Sequence, residues 1–234
     1  MTAAAVDRPD TAEMVFVHNS FRKQFGNLPG LVRGVAPGDR ARAAVVVGFL
    51  GELTTALHHH HEGEDELMWP LLLERAPMDS ELILRMEEQH ERIAELYRRA
   101  ERSAESFTAA ADGSSRDALA ETLTELNDAL GEHLHDEEVH ILPLVERAMT
   151  VPEWEALGER GRAGIPKDRM LVFLGFLLDA NTPERGREML AKSPAPARIA
   201  WASRAAPPGR RASALIQWGD RPGSVNRDRP SGIG

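Results

Sequence analysis

The sequence contains no cysteine. That absence excludes disulfides, iron–sulfur clusters, thiolate zinc sites and a cysteine nucleophile. Any bound metal must therefore be held by histidine nitrogen and carboxylate oxygen, a donor set that suits iron, manganese or zinc. A long apolar run is also missing: the longest, Met170 to Leu178, falls far short of the roughly 20 residues that span a bilayer. The first residues, Met1-Thr2-Ala3-Ala4-Ala5-Val6-Asp7-Arg8-Pro9, hold neither the apolar core of a signal peptide nor a twin-arginine pair. The expectation is a soluble, cytoplasmic protein without a membrane partner. Nor is there the surplus of Lys and Arg that phosphate recognition draws on; the net charge of −9 argues against nucleic-acid binding. Its distribution is uneven, because residues 195–234 hold seven Arg and two Asp whereas residues 1–194 are strongly acidic.

What the chain does hold is histidine and glutamate in a repeated arrangement. His58-His59-His60-His61-Glu62-Gly63-Glu64-Asp65-Glu66 runs into Leu67-Met68-Trp69-Pro70, and His133-Leu134-His135-Asp136-Glu137-Glu138 runs into Val139-His140-Ile141-Leu142-Pro143. Aligned on their prolines, the two stretches superpose His60 on His133 and Glu64 on Glu137, so each carries His-x-x-x-Glu.

Helical periodicity places both pairs on apolar seams. A first helix, capped at Asp10 or Thr11, carries Met14, His18, Phe21 and Phe25 and stops at Leu28-Pro29-Gly30. A second starts near Asp39 and lines up Val46, Phe49, Leu53, Leu57, His60, Glu64, Leu67 and Leu71, with a kink at Pro70. The third, after Asp79 or Ser80, carries Ile83, Met86, His90, Ile93, Tyr97 and Ala100. The fourth, after Asp112-Gly113-Ser114-Ser115, carries Leu119, Leu123, Leu126, Leu130, His133, Glu137, Ile141 and Leu144. His18 and His90 are 72 residues apart and His60 and His133 are 73 apart, an internal two-fold repeat. The predicted architecture is all-α, an up-down-up-down four-helix bundle over residues 1–150. A short helical extension over 151–192, opened by a capping box at Thr150 and Glu153, packs on the bundle. A basic, Pro/Gly/Arg-rich and disordered tail occupies 193–234.

A lone histidine in a helix seam is ordinarily a satisfied core residue. Four seams with one each, two of them with a glutamate one turn later, demand compensation, since an unpaired buried charge is costly; a two-metal centre supplies it. The order His18, His60-x-x-x-Glu64, His90, His133-x-x-x-Glu137 resembles the hemerythrin-like (HHE cation-binding) family over about residues 11–149. That resemblance implies two iron ions in an oxo- or hydroxo-bridged centre, with His18 and His60 on one, His90 and His133 on the other, and Glu64 and Glu137 between them. It implies O2, peroxide or nitric oxide as ligand, in oxygen or redox sensing or in peroxide detoxification. One departure stands out, because oxygen carriers of the family have a second histidine where this chain has Met86. His61, Glu87 and His140 are candidates to fill that gap or to lie just behind the ligands, and Tyr97, the one tyrosine, is placed to hydrogen-bond a small ligand.

Other readings compete. Glu87-x-x-His90 and Glu137-x-x-His140 match the Glu-x-x-His unit of ferritin-like bundles, which points to iron storage or sensing. That scheme leaves His18, His60 and His133 without a role. A metal-stapled interaction module, its basic tail recruiting an acidic protein, is a further alternative. His58, His59 and His135 turn off the seam and are read as solvated, as lying behind the ligands or as loosely metal-binding, and Asp65 and Glu66 as a solvated face.

Overall fold

The computed structural model describes residues 8–192 and Arg198. The tail expected to be disordered, apart from Arg198, and residues 1–7 lie outside the described residues. Four long helices form the bundle: α1 (Ala12–Arg33), α2 (Arg40–Leu67), α4 (Ser80–Ala110) and α5 (Gly113–Asp136). α1 packs between α2 and α5, and α4 likewise packs between α2 and α5, which closes the ring. The short α3 (Trp69–Arg75) and α6 (Leu142–Ala148) continue α2 and α5 beyond a break in each, and α7 (Val151–Ala163), α8 (Met170–Ala180) and α9 (Pro183–Lys192) follow. Among the described residues no helix is long and apolar enough to cross a membrane.

Local chemistry accounts for most boundaries. Asp39 accepts from the Arg42 amide at 2.9 Å and Asp112 from the Ser115 amide at 2.8 Å, each satisfying a donor at a helix start. Thr150 and Glu153 form the reciprocal capping box of α7. α1, however, does not stop at Pro29 but runs on to Arg33. An interior proline costs about 3 kcal/mol, yet Leu28, Val32 and Val35 are at most 2% exposed. Burying each contributes about 1.5–3 kcal/mol, so packing outweighs the lost hydrogen bond.

The two breaks have one cause. Pro70 and Pro143 have no N–H to offer the preceding turn. In the second helix the result is an interruption at Met68, whose amide still bonds the Glu64 carbonyl at 2.8 Å. In the fourth it is a π-turn over Glu137–Ile141, where the Leu142 amide reaches back to the Glu137 carbonyl. The fourth seam is thus not a continuous α-helix to Leu144; the wider turn shifts the register of everything after Glu137.

Among the described residues, buried apolar side chains form two clusters. The larger holds Phe21, Phe25, Leu57, Ile93, Leu130 and Leu134, and the smaller holds Met14, Met68, Trp69, Met86 and Ile141. On every bundle helix the residues between the two are the histidines and glutamates of the repeat. The extension joins the smaller cluster through Trp154 and Leu157. α7 approaches α2 at Gly63, where an added Cβ would stand 3.3 Å from Leu157 Cδ1 and 3.4 Å from Arg160 Cγ. α8 crosses α1 and α2, with Lys23 paired to Asp179 at 2.9 Å and the Phe49 and Phe176 rings 5.5 Å apart. Gly63→Val should force α7 outward and cost about 1–3 kcal/mol by overpacking, read as a lower midpoint in urea denaturation; an unchanged midpoint would show that α7 is not held there.

Candidate metal centre

The layer between the two clusters is built from residues on each of the four long helices and on the turn that follows α5. His18 of α1, Glu64 of α2, His133 of α5 and Glu137, the first residue of the π-turn, are fully buried, and His61 and His90 are 5% exposed. α2 delivers two histidines because consecutive residues on a helix diverge by about 100°. His60 turns toward α1, its ring 5.4 Å from that of His18, while His61 turns toward α4 and stacks on His90 at 4.0 Å. Glu64, one turn on, lies between them.

Among the described residues two donor sets result, one of His18, His60, Glu64 and Glu137, the other of His61, Glu64, His90 and His133; within each, the ligand atoms lie within 4.8 Å of one another. Glu64 belongs to both. Its Oε1 is 3.1 Å from His60 Nε2 and its Oε2 is 3.3 Å from His90 Nε2. Glu137 Oε2 is 3.2 Å from His18 Nε2 and 3.8 Å from His133 Nε2, so it joins the first set and leans toward the second. Nε2 of His90 and Nε2 of His133 face each other at 3.2 Å. Such separations are what two donors show on one ion with bonds of about 2.1 Å.

The residues fit a metal on a further ground. Nε2 of His18, His60 and His61 and both carboxylate oxygens of Glu64 and Glu137 are buried without a hydrogen-bond partner. Buried polar atoms are nearly always satisfied, and a concentration of unsatisfied ones aimed at two points is the mark of an ion site. The outer nitrogens, in contrast, are engaged. His18 Nδ1 lies 2.9 Å from Glu138, His90 Nδ1 2.7 Å from Asp65, and His133 Nδ1 3.2 Å from the Gln89 side-chain oxygen. Acceptors at Nδ1 hold a proton there, so that it is Nε2 that would lose its proton to an ion and turn a lone pair inward.

Charges in the layer are set by burial against the partner each group faces. Burial resists protonation of His18 and His90, but Glu137 and Glu138 for the first, and Asp65 and Glu64 for the second, push both up to about 9. His60 and His133 fall to about 3, through burial and then through His18 and His90 respectively. His61 is held well below the histidine range by burial and by His90. Glu64 is raised by burial and by Glu137, whereas Glu137 is lowered because His18 outweighs its burial.

The remaining expected residues lie elsewhere. The π-turn carries His140 outward into solvent, so it does not lie behind the ligands. Glu87 is half-buried and outside both sets. The ferritin-like scheme, which needs both, is not what the structure builds. The Tyr97 hydroxyl lies 3.3 Å from His58 Nδ1, on the rim, rather than over either set. Met86 is buried in the smaller apolar cluster. Asp65, expected as a solvated acid, is half-exposed yet bonds His90. Asp65 and Glu138 could have been found in the sequence, since each directly follows a repeated glutamate; Gln89, Trp69 and Arg22 leave no such signal.

The Hemerythrin HHE cation binding domain matches residues 10–146. The chain belongs to this hemerythrin family. No curated protein and no solved structure matches it. The family span ends inside α6, so its cation-binding domain is the bundle, and α7, α8 and α9 lie beyond it.

Metal-free protein should be most stable near pH 6.5. Below that pH the unfolded chain takes up protons on His60, His61 and His133 that the native layer refuses, so stability falls with acid; the raised Glu64 opposes this as one group against three. Above it, native His18 and His90 keep protons until about pH 9 that the unfolded chain has released, so stability falls again. Urea denaturation across pH in the presence of a chelator checks this; a stability still rising at pH 9 would contradict it.

Proposed function

We propose that this protein is a non-haem di-iron protein that binds or reacts with a small oxidant such as O2, peroxide or nitric oxide. The observation that carries the reading is Glu64, whose two buried oxygens lack hydrogen-bond partners and face two separate sets of buried imidazole nitrogens. His18, His60 and Glu137 would hold one ion and His61, His90 and His133 the other, with Glu64 shared. Mixed imidazole and carboxylate donors suit iron, the metal that the resemblance to hemerythrins implies. Iron bound there supplies redox electrons and, with four protein donors in each set, keeps positions for a small ligand.

The protein's own contribution is to hold and to exclude. The Nδ1 acceptors fix the rings of His18, His90 and His133. The two apolar clusters seal the layer from above and below, so that water competes little with a small apolar ligand. His61 provides the second set with a third imidazole in place of the one that Met86 does not offer.

Natively purified protein should carry about two irons per chain, with His60→Ala and Glu137→Ala each losing at least one; less than about one iron per chain in the wild type would sink the reading. Mixing the reduced protein with O2 or peroxide in a stopped-flow spectrometer separates roles. A stable coloured adduct supports binding or sensing, and rapid consumption of peroxide supports catalysis. Iron held without any response to either would move the protein to iron storage or sensing.

A further inference from the structure

Behind the donor sets stand two carboxylates that the ligand assignment does not use. Asp65 follows Glu64 and Glu138 follows Glu137, so the acids are 73 residues apart and keep the internal repeat. One position past an inward-facing glutamate, the backbone has turned by about 100°, and the side chain meets a neighbouring helix. Asp65 on α2 accepts from His90 of α4, and Glu138 accepts from His18 of α1.

The oxygen that takes the histidine bond takes a second one in each case, and here the halves diverge. Asp65 Oδ1 accepts from Trp69 Nε1–H at 2.9 Å, and Glu138 Oε1 accepts from Arg22 Nη1 at 2.7 Å. Neither partner is repeated. The residue equivalent to Trp69 is Leu142, and that equivalent to Arg22 is Ala94. A carboxylate on Nδ1–H strengthens the imidazole as a donor in proportion to the negative charge it keeps. The indole N–H is neutral and leaves the charge of Asp65 in place, whereas the guanidinium of Arg22 cancels that of Glu138 through a charge-assisted bond. Solvent screens Asp65 at 49% exposure more than Glu138 at 20%, but the field of Glu138 at His18 is offset by the opposite charge of Arg22 on the same oxygen. Three imidazoles against two act in the same direction.

We propose that Asp65 and Glu138 are positioning residues that make the two metal positions unequal: Trp69–Asp65–His90 gives the His61/His90/His133/Glu64 position the stronger imidazole and the tighter ion, and Arg22–Glu138–His18 gives the other position the weaker. This rests on the two-metal reading above. The two ions therefore load in order, and conditions exist in which only the position on His90 is filled.

The test is a Co2+ titration of the metal-free full-length protein, followed by visible absorption, which reports the donor set of each ion as it binds. The wild type should bind two ions in two resolved steps. Asp65→Asn should weaken the tight step about tenfold or more and shift its bands while sparing the weaker step; Glu138→Gln should do the reverse. Trp69→Phe, which keeps the ring and removes the N–H, should move only the bands of the tight step, and Arg22→Gln should tighten only the weaker one. The surface change at Arg22 keeps the test open should Asp65→Asn fail to fold. Two ions taken up in one step, or Asp65→Asn and Glu138→Gln lowering both steps alike or neither, would overturn the proposal and leave the two-metal reading standing. No Co2+ uptake at all would overturn the reading itself.

Discussion

The structure depends on a layer of seven ionisable side chains that the protein alone does not satisfy: His18, His60, His61, Glu64, His90, His133 and Glu137. Their inward atoms are buried and largely without hydrogen-bond partners, in a place where an uncompensated charge costs several kcal/mol. The layer also sets the register of the bundle. Each helix changes from apolar to polar and back at the same height, so sliding one helix by a turn would drive an imidazole into Leu57, Ile93 or Leu130 and leave a leucine facing Glu64. The polar layer is expensive in isolation and specifying in consequence.

Both helices that bring a glutamate lose their regular hydrogen bonding just after it, at Pro70 and at Pro143. The ligand-bearing segments thus end within two turns of the site, and α3 and α6 supply Trp69, Leu72, Leu144 and Val145 to the smaller apolar cluster. Trp154 and Leu157 of α7 complete that cluster. Gly63, between His61 and Glu64, lets α7 approach so closely. The extension beyond the family's domain is in this sense part of the wall of the site, since Arg160 of α7 bonds Glu62 and Glu66 on either side of Glu64.

Much of this was legible in the sequence because the signals are local. Asp39, Asp112 and Thr150 announce helix starts through a bond to an amide three residues on, and the seams announce which face is inward. The histidines and glutamates of the repeat share those seams, so their convergence in one layer follows from helix geometry alone. Three features did not follow. The passage of α1 through Pro29 is decided by how deeply Leu28 and Val32 pack, a tertiary quantity. The π-turn adds a residue to one turn, and a reading in steps of 3.6 residues places His140 inward when it faces water. His60 and His61 straddle the line from Leu57 to Glu64, so periodicity does not choose between them, and the structure uses both.

The use of both histidines is where the internal symmetry fails. Met14 and Met86 are equivalent by the repeat and both sit in the smaller apolar cluster, so the methionine in the third helix is no loss peculiar to one half. The residue equivalent to His61 is Leu134, fully buried in the larger cluster. A histidine there would have given each position three imidazoles; the leucine instead leaves the first set to His18, His60 and two carboxylates. One side chain thus turns a repeated scaffold into two unlike positions, one richer in nitrogen and one richer in oxygen. Harder oxygen donors favour the more oxidised or harder ion, and imidazoles the softer. The two donor sets are thus unlike before any ion or small ligand arrives.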